Sequence, residues 1–345
     1  MASVDTKVEE EQVEPESKPP KAAVSYLEAI RQALWEEMER DPTVFLIGED
    51  IGRYGGAFKL TDGFQAHFGK ERVIDAPISE AAIVGAAIGA SHMGFKPVAE
   101  MQFIDFIAPA FDMIVNFAAK SRYRWGAAVP IVIRGPCGGG GHGGPFHSQN
   151  PEAYFLNVPG LKIVAPGTPY DAKGLLVSAI RDPDPVLYLE HKYLYRRVKE
   201  VLPDEAYTVP IGKAKVAREG TDLTIVTFGA MLHKSLEAAE KMAEEDGSEV
   251  EVVDLRTLLP LDGETIAASV KKTNRLLVVH EASKTGGIGG EITARVCELA
   301  FEWLDAPPRR VTGPDTPVPY APVLEEYYLV QVDDIVKASR WLLEY

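Results

Sequence analysis

The chain has 345 residues, 46% apolar and 25% charged, with a formal net charge of −15. That length exceeds what one hydrophobic core usually serves, so two domains are expected. The acidity excludes a nucleic-acid binder, and no apolar run reaches the roughly 18–20 residues that span a bilayer.

Residues 1–22, "MASVDTKVEEEQVEPESKPPKA", carry almost nothing large and apolar and are expected to form a disordered acidic tail. The segment lacks the apolar core of a signal peptide and is too acidic for a transit peptide. Tyr26, Leu27, Ile30, Leu34 and Met38 then recur at helical spacing, and "TVFLIG" (43–48) reads as a buried strand. Glu49 and Asp50 follow that strand directly, where parallel sheets form ligand sites.

A strand-like run ends at Pro77, and a stretch rich in Ala, Ile, Val and Gly begins at Ala81, with Glu80 between them. Ser79 is placed to cap a helix starting near Glu80, whose Ala82, Ala86 and Ala90 share one face with Gly85 and Gly89 close by. Small residues at that spacing admit a close partner backbone. Glu80 has two readings. It is a solvated first-turn acid held ionised by the helix dipole, worth roughly 0.3–1 kcal/mol. Alternatively it is buried, and desolvation by up to roughly 3–5 pKa units makes it a neutral proton donor.

"KPVAEMQF" (96–103) and "VPIVIRG" (129–135) read as strands, and 108–124 and 169–182 as helices. Gln102 and Phe106, at i and i+4, fit ordinary core or a site wall. The run "GPCGGGGHGG" (135–144) lacks the Lys-Ser/Thr end of a phosphate loop and reads as a flexible loop presenting His147. "SAIRDPDP" (178–185) ends a helix in carbonyls and acids, an unfavourable place for two negative charges without a cation.

The polar stretch 191–220 reads as the interdomain connection, with domains at 23–200 and 221–345 and a linker at 201–220. Beyond it, 221–229, 248–260, 274–282 and 309–314 read as strands, each followed by a helical pattern, the last at 332–345. The fold class is therefore α/β, two domains in sequence, the first built on a parallel sheet. Two cysteines far apart, Cys137 and Cys297, form neither a disulfide framework nor a metal spacing, so a cytoplasmic location is expected.

"GEDIGRYGGAFKLTDGF" (48–64), "RVIDAPISEAAIVGAAIG" (72–89), "AEMQFIDFIAPAFDMIVN" (99–116), "HGGPFHSQNPEAYF" (142–155) and "VDLRTLLPLD" (253–262) occur in order. Together they resemble the β subunit of the thiamine-diphosphate-dependent decarboxylase component of 2-oxo acid dehydrogenase complexes, from about residue 24 to the C-terminus. The resemblance implies a pyrimidine-binding domain followed by a transketolase C-terminal-like domain. It implies that Glu80 hydrogen-bonds the aminopyrimidine of thiamine diphosphate and activates it. It places His147 near substrate and the incoming lipoyl group, Gln102 and Phe106 on the pocket wall, and Ile78 against the pyrimidine. Glu49 resembles a family acid proposed to link two active sites by proton transfer. The family also binds a structural K⁺ through backbone groups matching Ile131, Ala179 and Ile180, with Asp182 and Asp184 nearby; some relatives have Asn at the last position.

The family's diphosphate is held through Mg²⁺ by a GDG segment, and this chain contains none. The resemblance accordingly implies an α subunit that supplies the Mg²⁺ half of the site, in a heterotetramer of two α and two β chains, active only together. Such an enzyme decarboxylates a 2-oxo acid and reductively acylates a lipoyl group of the acyltransferase core. "QFIDF" and "HGGPFHSQNPEAYF" lean toward branched-chain substrates over pyruvate. The alternatives are a transketolase-like transferase subunit and a catalytically silent assembly subunit.

Overall fold

The computed structural model describes residues 22–345, so the expected acidic tail falls outside the described residues except for its last position. In chain order the strands are β1 (Val24–Ser25), β2 (Val44–Gly48), β3 (Val73–Asp75), β4 (Lys96–Glu100), β5 (Val132–Cys137), β6 (Lys162–Val164), β7 (Val186–His191) and β8 (Lys199–Glu200). They continue with β9 (Lys215–Arg218), β10 (Leu223–Thr227), β11 (Val250–Asp254), β12 (Thr257–Leu259), β13 (Leu276–Ser283) and β14 (Arg309–Gly313). A seven-stranded sheet has the order β12-β6-β7-β5-β4-β2-β3, and a five-stranded sheet the order β14-β13-β10-β11-β9. Both are parallel except at one edge, where β12 and β9 run antiparallel to their neighbours.

The central strands β5, β7, β10 and β11 are buried at every position, as expected of parallel strands covered on both faces. The helix Tyr26–Arg40 starts on Ser25, whose hydroxyl accepts the Glu28 N–H at 3.2 Å. It buries Tyr26, Ile30, Leu34 and Met38 against the helix Pro169–Arg181. Glu37, buried at that contact, accepts from Arg181 across the interface at 2.5 Å.

Several sequence expectations are corrected. No continuous helix spans 108–124. The segment is a 3₁₀ stretch (Ile104–Ala110), a π turn (Met113–Ala118) and a short α-helix (Ser121–Trp125). Pro109 lies inside the first of these, and its missing N–H and ring prevent α-helical bonding there. The expected strand 248–260 breaks at Arg256, where φ is +55°, and its halves β11 and β12 join different sheets. The expected linker contains β9, the edge strand of the second sheet. Strands β6 and β7 were not anticipated; Lys162–Val164 is too short to carry a clear period.

The crossing of β12 ties the domains together. Thr257 pairs with Val164, the Ala165 N–H donates to the Arg256 carbonyl at 2.8 Å, and Arg256 pairs with buried Asp171 at 3.1 Å. Each of the two apolar clusters draws on both sheets: Val98 and Val186 share one with Ile225 and Leu277. Ile133 and Leu187 share the other with Val226 and Val253.

Candidate functional site

The carboxyl ends of β5, β4, β2 and β3 lie side by side, and chemistry-bearing residues follow each of them. This is where a parallel sheet leaves backbone groups and helix N-termini unpaired and open to a ligand. Glu49 and Asp50 follow β2, Ile78 to Glu80 follow β3, Gln102 to Phe106 follow β4, and the glycine-rich segment with His147 follows β5.

Glu80 is the first residue of the helix Glu80–His92. Ser79 does not cap it: with φ −172° and ψ 68° its hydroxyl turns back to donate to the Pro77 carbonyl at 3.0 Å. The helix instead begins on the Ser79 carbonyl, which accepts from Ala82 and Ile83 at 2.9 Å each. Glu80 is half-buried in this chain, which by itself does not seal it from solvent. The deeply buried acid is its neighbour Glu49, 7% exposed. Burial pushes the Glu49 carboxyl above the ordinary range, and the adjacent charges of Glu80 and Asp50 add to this, while the Ser79 N–H pulls the other way.

The remaining predicted residues follow the neighbouring strands. Gln102 Nε2 donates to Asp50 Oδ2 at 3.3 Å. His147 stands edge-on to Phe103 and Phe106, with ring centroids at 4.5 and 5.5 Å. Phe58, Phe103, His147, Lys192, Tyr193 and Arg197 surround an open cavity of about 320 Å³ against the glycines. Ile78 is 83% exposed, an apolar side chain held out at the same edge.

The glycine-rich segment is not a free loop. Its N–H groups at Gly139, Gly140 and His142 donate to the buried carboxylates of Glu281 and Glu325 from the second domain. Backbone donors that resemble a phosphate cradle are thus already filled by the protein's own anions. Cys137 is buried at its start, and desolvation drives its thiol well above the ordinary value, which leaves it a poor nucleophile.

The five positions expected around a monovalent cation lie at the opposite, amino ends of the strands. The Ile131 carbonyl accepts from Val186 at 3.0 Å, and Ala179 from Asp182 at 3.3 Å. Ile180 is buried in the helix Pro169–Arg181. Lys162 Nζ lies 2.7 Å from both oxygens of Asp182, and Asp184 pairs with Arg122. The charge argument for a metal ion is therefore met by a lysine and an arginine. Among the described residues no group of three or more His, Cys, Asp or Glu is arranged to hold a metal.

Sequence reasoning missed two features of the site. Arg134, 2% exposed, is held between Glu100 and Glu190, with Nη2 to Glu190 Oε2 at 2.8 Å, and Tyr195 donates to the same carboxylate at 2.7 Å. Glu281 and Glu325 were also missed. Glu281 left a signal, a charge inside the apolar run "LLVVHEAS", whereas Glu325 sits in an ordinary acidic stretch.

Family profiles described as "Transketolase, pyrimidine binding domain" and "Transketolase, C-terminal domain" match residues 22–198 and 212–335. The 2-oxoisovalerate dehydrogenase subunit beta of Bacillus subtilis is 52% identical over 94% of this chain and 100% of its own length. The pyruvate dehydrogenase E1 component subunit beta of the same organism is 46% identical over the same shares, and that of Staphylococcus aureus (strain COL) 45%. A solved chain described as a split-gene transketolase in an inactive β4 tetramer superposes with a TM-score of 0.75 at 27% identity, covering 94% of this chain and 99% of that one.

Proposed function

Since the chain belongs to the β subunits of the decarboxylase components of 2-oxo acid dehydrogenases, we propose that it forms the pyrimidine-binding half of a thiamine-diphosphate site shared with an α subunit. The pair decarboxylates a 2-oxo acid, with a branched-chain acid preferred over pyruvate, and passes the acyl group to a lipoyl group of an acyltransferase core. The greater identity to the 2-oxoisovalerate relative supports that preference. Glu80 beside buried Glu49, with the uncovered Ile78 on the same sheet edge, is the observation that carries the reading.

These residues fit an aminopyrimidine ring. Ile78 offers an apolar surface to a ring face, and Glu80 offers a carboxyl oxygen to a ring nitrogen. Thiamine diphosphate, when bound, supplies the carbon nucleophile and the electron sink for loss of CO₂. The part left to this chain is proton handling and positioning. Covering Glu80 with ring and partner chain removes its remaining water and raises its affinity for a proton. Glu49, already buried, is the neighbour with which that proton is exchanged. His147, fixed between two aromatic edges beside the cavity, donates to or accepts from the substrate carboxylate or the lipoyl thiol. Gln102, anchored on Asp50, and Phe106 form the wall.

The second half of the reading is the absent diphosphate grip. With no GDG segment, the Mg²⁺ and diphosphate contacts fall to the α chain, two α with two β. The exposed small-residue face of the helix Glu80–His92 supports such a partner, since a Cβ on Gly89 would meet nothing within 4 Å. The chain alone is proposed to be inactive, as the β4 tetramer of the split-gene transketolase is.

Reconstitution tests this. Thiamine-diphosphate-dependent reduction of dichlorophenolindophenol on 2-oxoisovalerate should require both chains, with pyruvate slower. Glu80→Gln should reduce turnover by at least about 10²-fold, the scale of a lost general acid–base group, while α still co-elutes with β. Turnover by the β chain alone, or near-normal turnover by Glu80→Gln, would refute the assignment.

A further inference from the structure

The segment that presents His147 leaves β5 at Cys137 and returns at Asn150, and one carboxylate of the other domain holds both of its ends. Glu281 projects from β13 and is 6% exposed. Its Oε1 accepts from the Gly139 N–H at 2.6 Å and from Asn150 Nδ2 at 2.9 Å, and its Oε2 lies 3.0 Å from His191 Nε2. Glu325 holds the middle, accepting from the Gly140 and His142 N–H groups at 3.1 and 3.0 Å.

The glycines make this closeness possible. Gly138 has φ +84°, and a Cβ there would stand 2.0 Å from the His191 ring. The His147 ring meets the aromatic edges of Phe103 and Phe106, and its backbone N–H donates to the Gly144 carbonyl of its own segment at 3.3 Å. Its placement therefore depends on where the ends of its segment are fixed. Charge-assisted bonds to backbone N–H groups are the strong members of their class, and burial strengthens them further.

We propose that Glu281 is a positioning residue: from the second domain it closes the two ends of the His147 segment, so that the site is correctly formed only when the domains are docked. The catalytic part of this rests on the reading of His147 given above; the closure does not. A glutamine at 281 removes the charge that strengthens the bonds to Gly139 and Asn150, and its amide nitrogen keeps the His191 contact only where His191 Nε2 accepts.

The test compares wild type, Glu281→Gln and Glu281→Asp by hydrogen exchange on the full β chain and by kinetics on the reconstituted complex. In Glu281→Gln, amides of 138–150 should exchange at least about tenfold faster while those of β10 and β11 stay unchanged. In the complex kcat should fall about tenfold with KM for the 2-oxo acid within about twofold, and Glu281→Asp should recover part of both effects. Unchanged exchange in 138–150 overturns the proposal, as does exchange that quickens equally throughout the chain. A loss of kcat without faster exchange in the segment also overturns it. If the wild-type complex decarboxylates no 2-oxo acid, the functional reading fails, and the exchange comparison still decides the closure.

Discussion

Glu152 shows how one side chain ties stability to pH. It follows the His147 segment in the chain, is 1% exposed, and its Oε1 is unpaired among the described residues. Burial first, and then the charge of Glu281, push its carboxyl up to about 8 from an ordinary 4.5. Glu281 itself is held down at about 2: burial raises it, but His191, Gly139 and Asn150 outweigh that. The signs differ. A raised carboxyl binds its proton more tightly folded than unfolded, so its stabilising contribution is complete below about 4.5 and is lost as pH rises toward 8. Glu281 contributes above about 4.5, and that contribution is lost as pH falls toward 2. Glu152→Gln should accordingly flatten the decline in melting temperature between about pH 4.5 and 8. Parallel wild-type and variant curves across that window would remove Glu152 from the account.

At the scale of elements, the packing of the helix Tyr26–Arg40 on Pro169–Arg181 was visible as spacing. Leu34 is fully buried in that contact, among Tyr26, Ile30 and Met38. Leu34→Ala should lower the unfolding free energy by about 2–5 kcal/mol, read from urea titrations, because the cavity it leaves collapses only in part. The 104–125 region shows the opposite case. Its apolar residues recur much as in a helix, but the hydrogen-bond pattern changes at Phe111–Asp112 and again at the turn around Lys120, so it forms three short pieces. Periodicity reports which residues go inside; the hydrogen-bond pattern that carries them there is set by backbone donors.

For the whole molecule, the joined sheets predict how it unfolds. β12 leaves the second domain's sequence to become an edge strand of the first sheet, and both apolar clusters run through the two domains. Neither sheet keeps its core if the other melts. A single calorimetric transition is expected, with equal calorimetric and van't Hoff enthalpies; two resolved transitions would show that the domains are energetically separate. The same interlock brings Glu281 and Glu325 to the glycine segment, so the candidate site has contributions from both halves of the chain.

What the sequence by itself determined was local in origin: buried strands such as "TVFLIG", the helical stripe from Tyr26 to Met38, and the ordered motifs carrying Glu80, Gln102 and His147. Those signals lie in neighbouring residues, where period and side-chain chemistry act directly. The tertiary structure alone decided that Glu49 is the buried acid beside a half-exposed Glu80, and that Lys162 and Arg122 neutralise Asp182 and Asp184. It also decided that the glycine segment is held by carboxylates 142 and 185 residues away. Burial and charge pairing depend on which distant groups the fold brings within about 3 Å, and no local pattern encodes that distance.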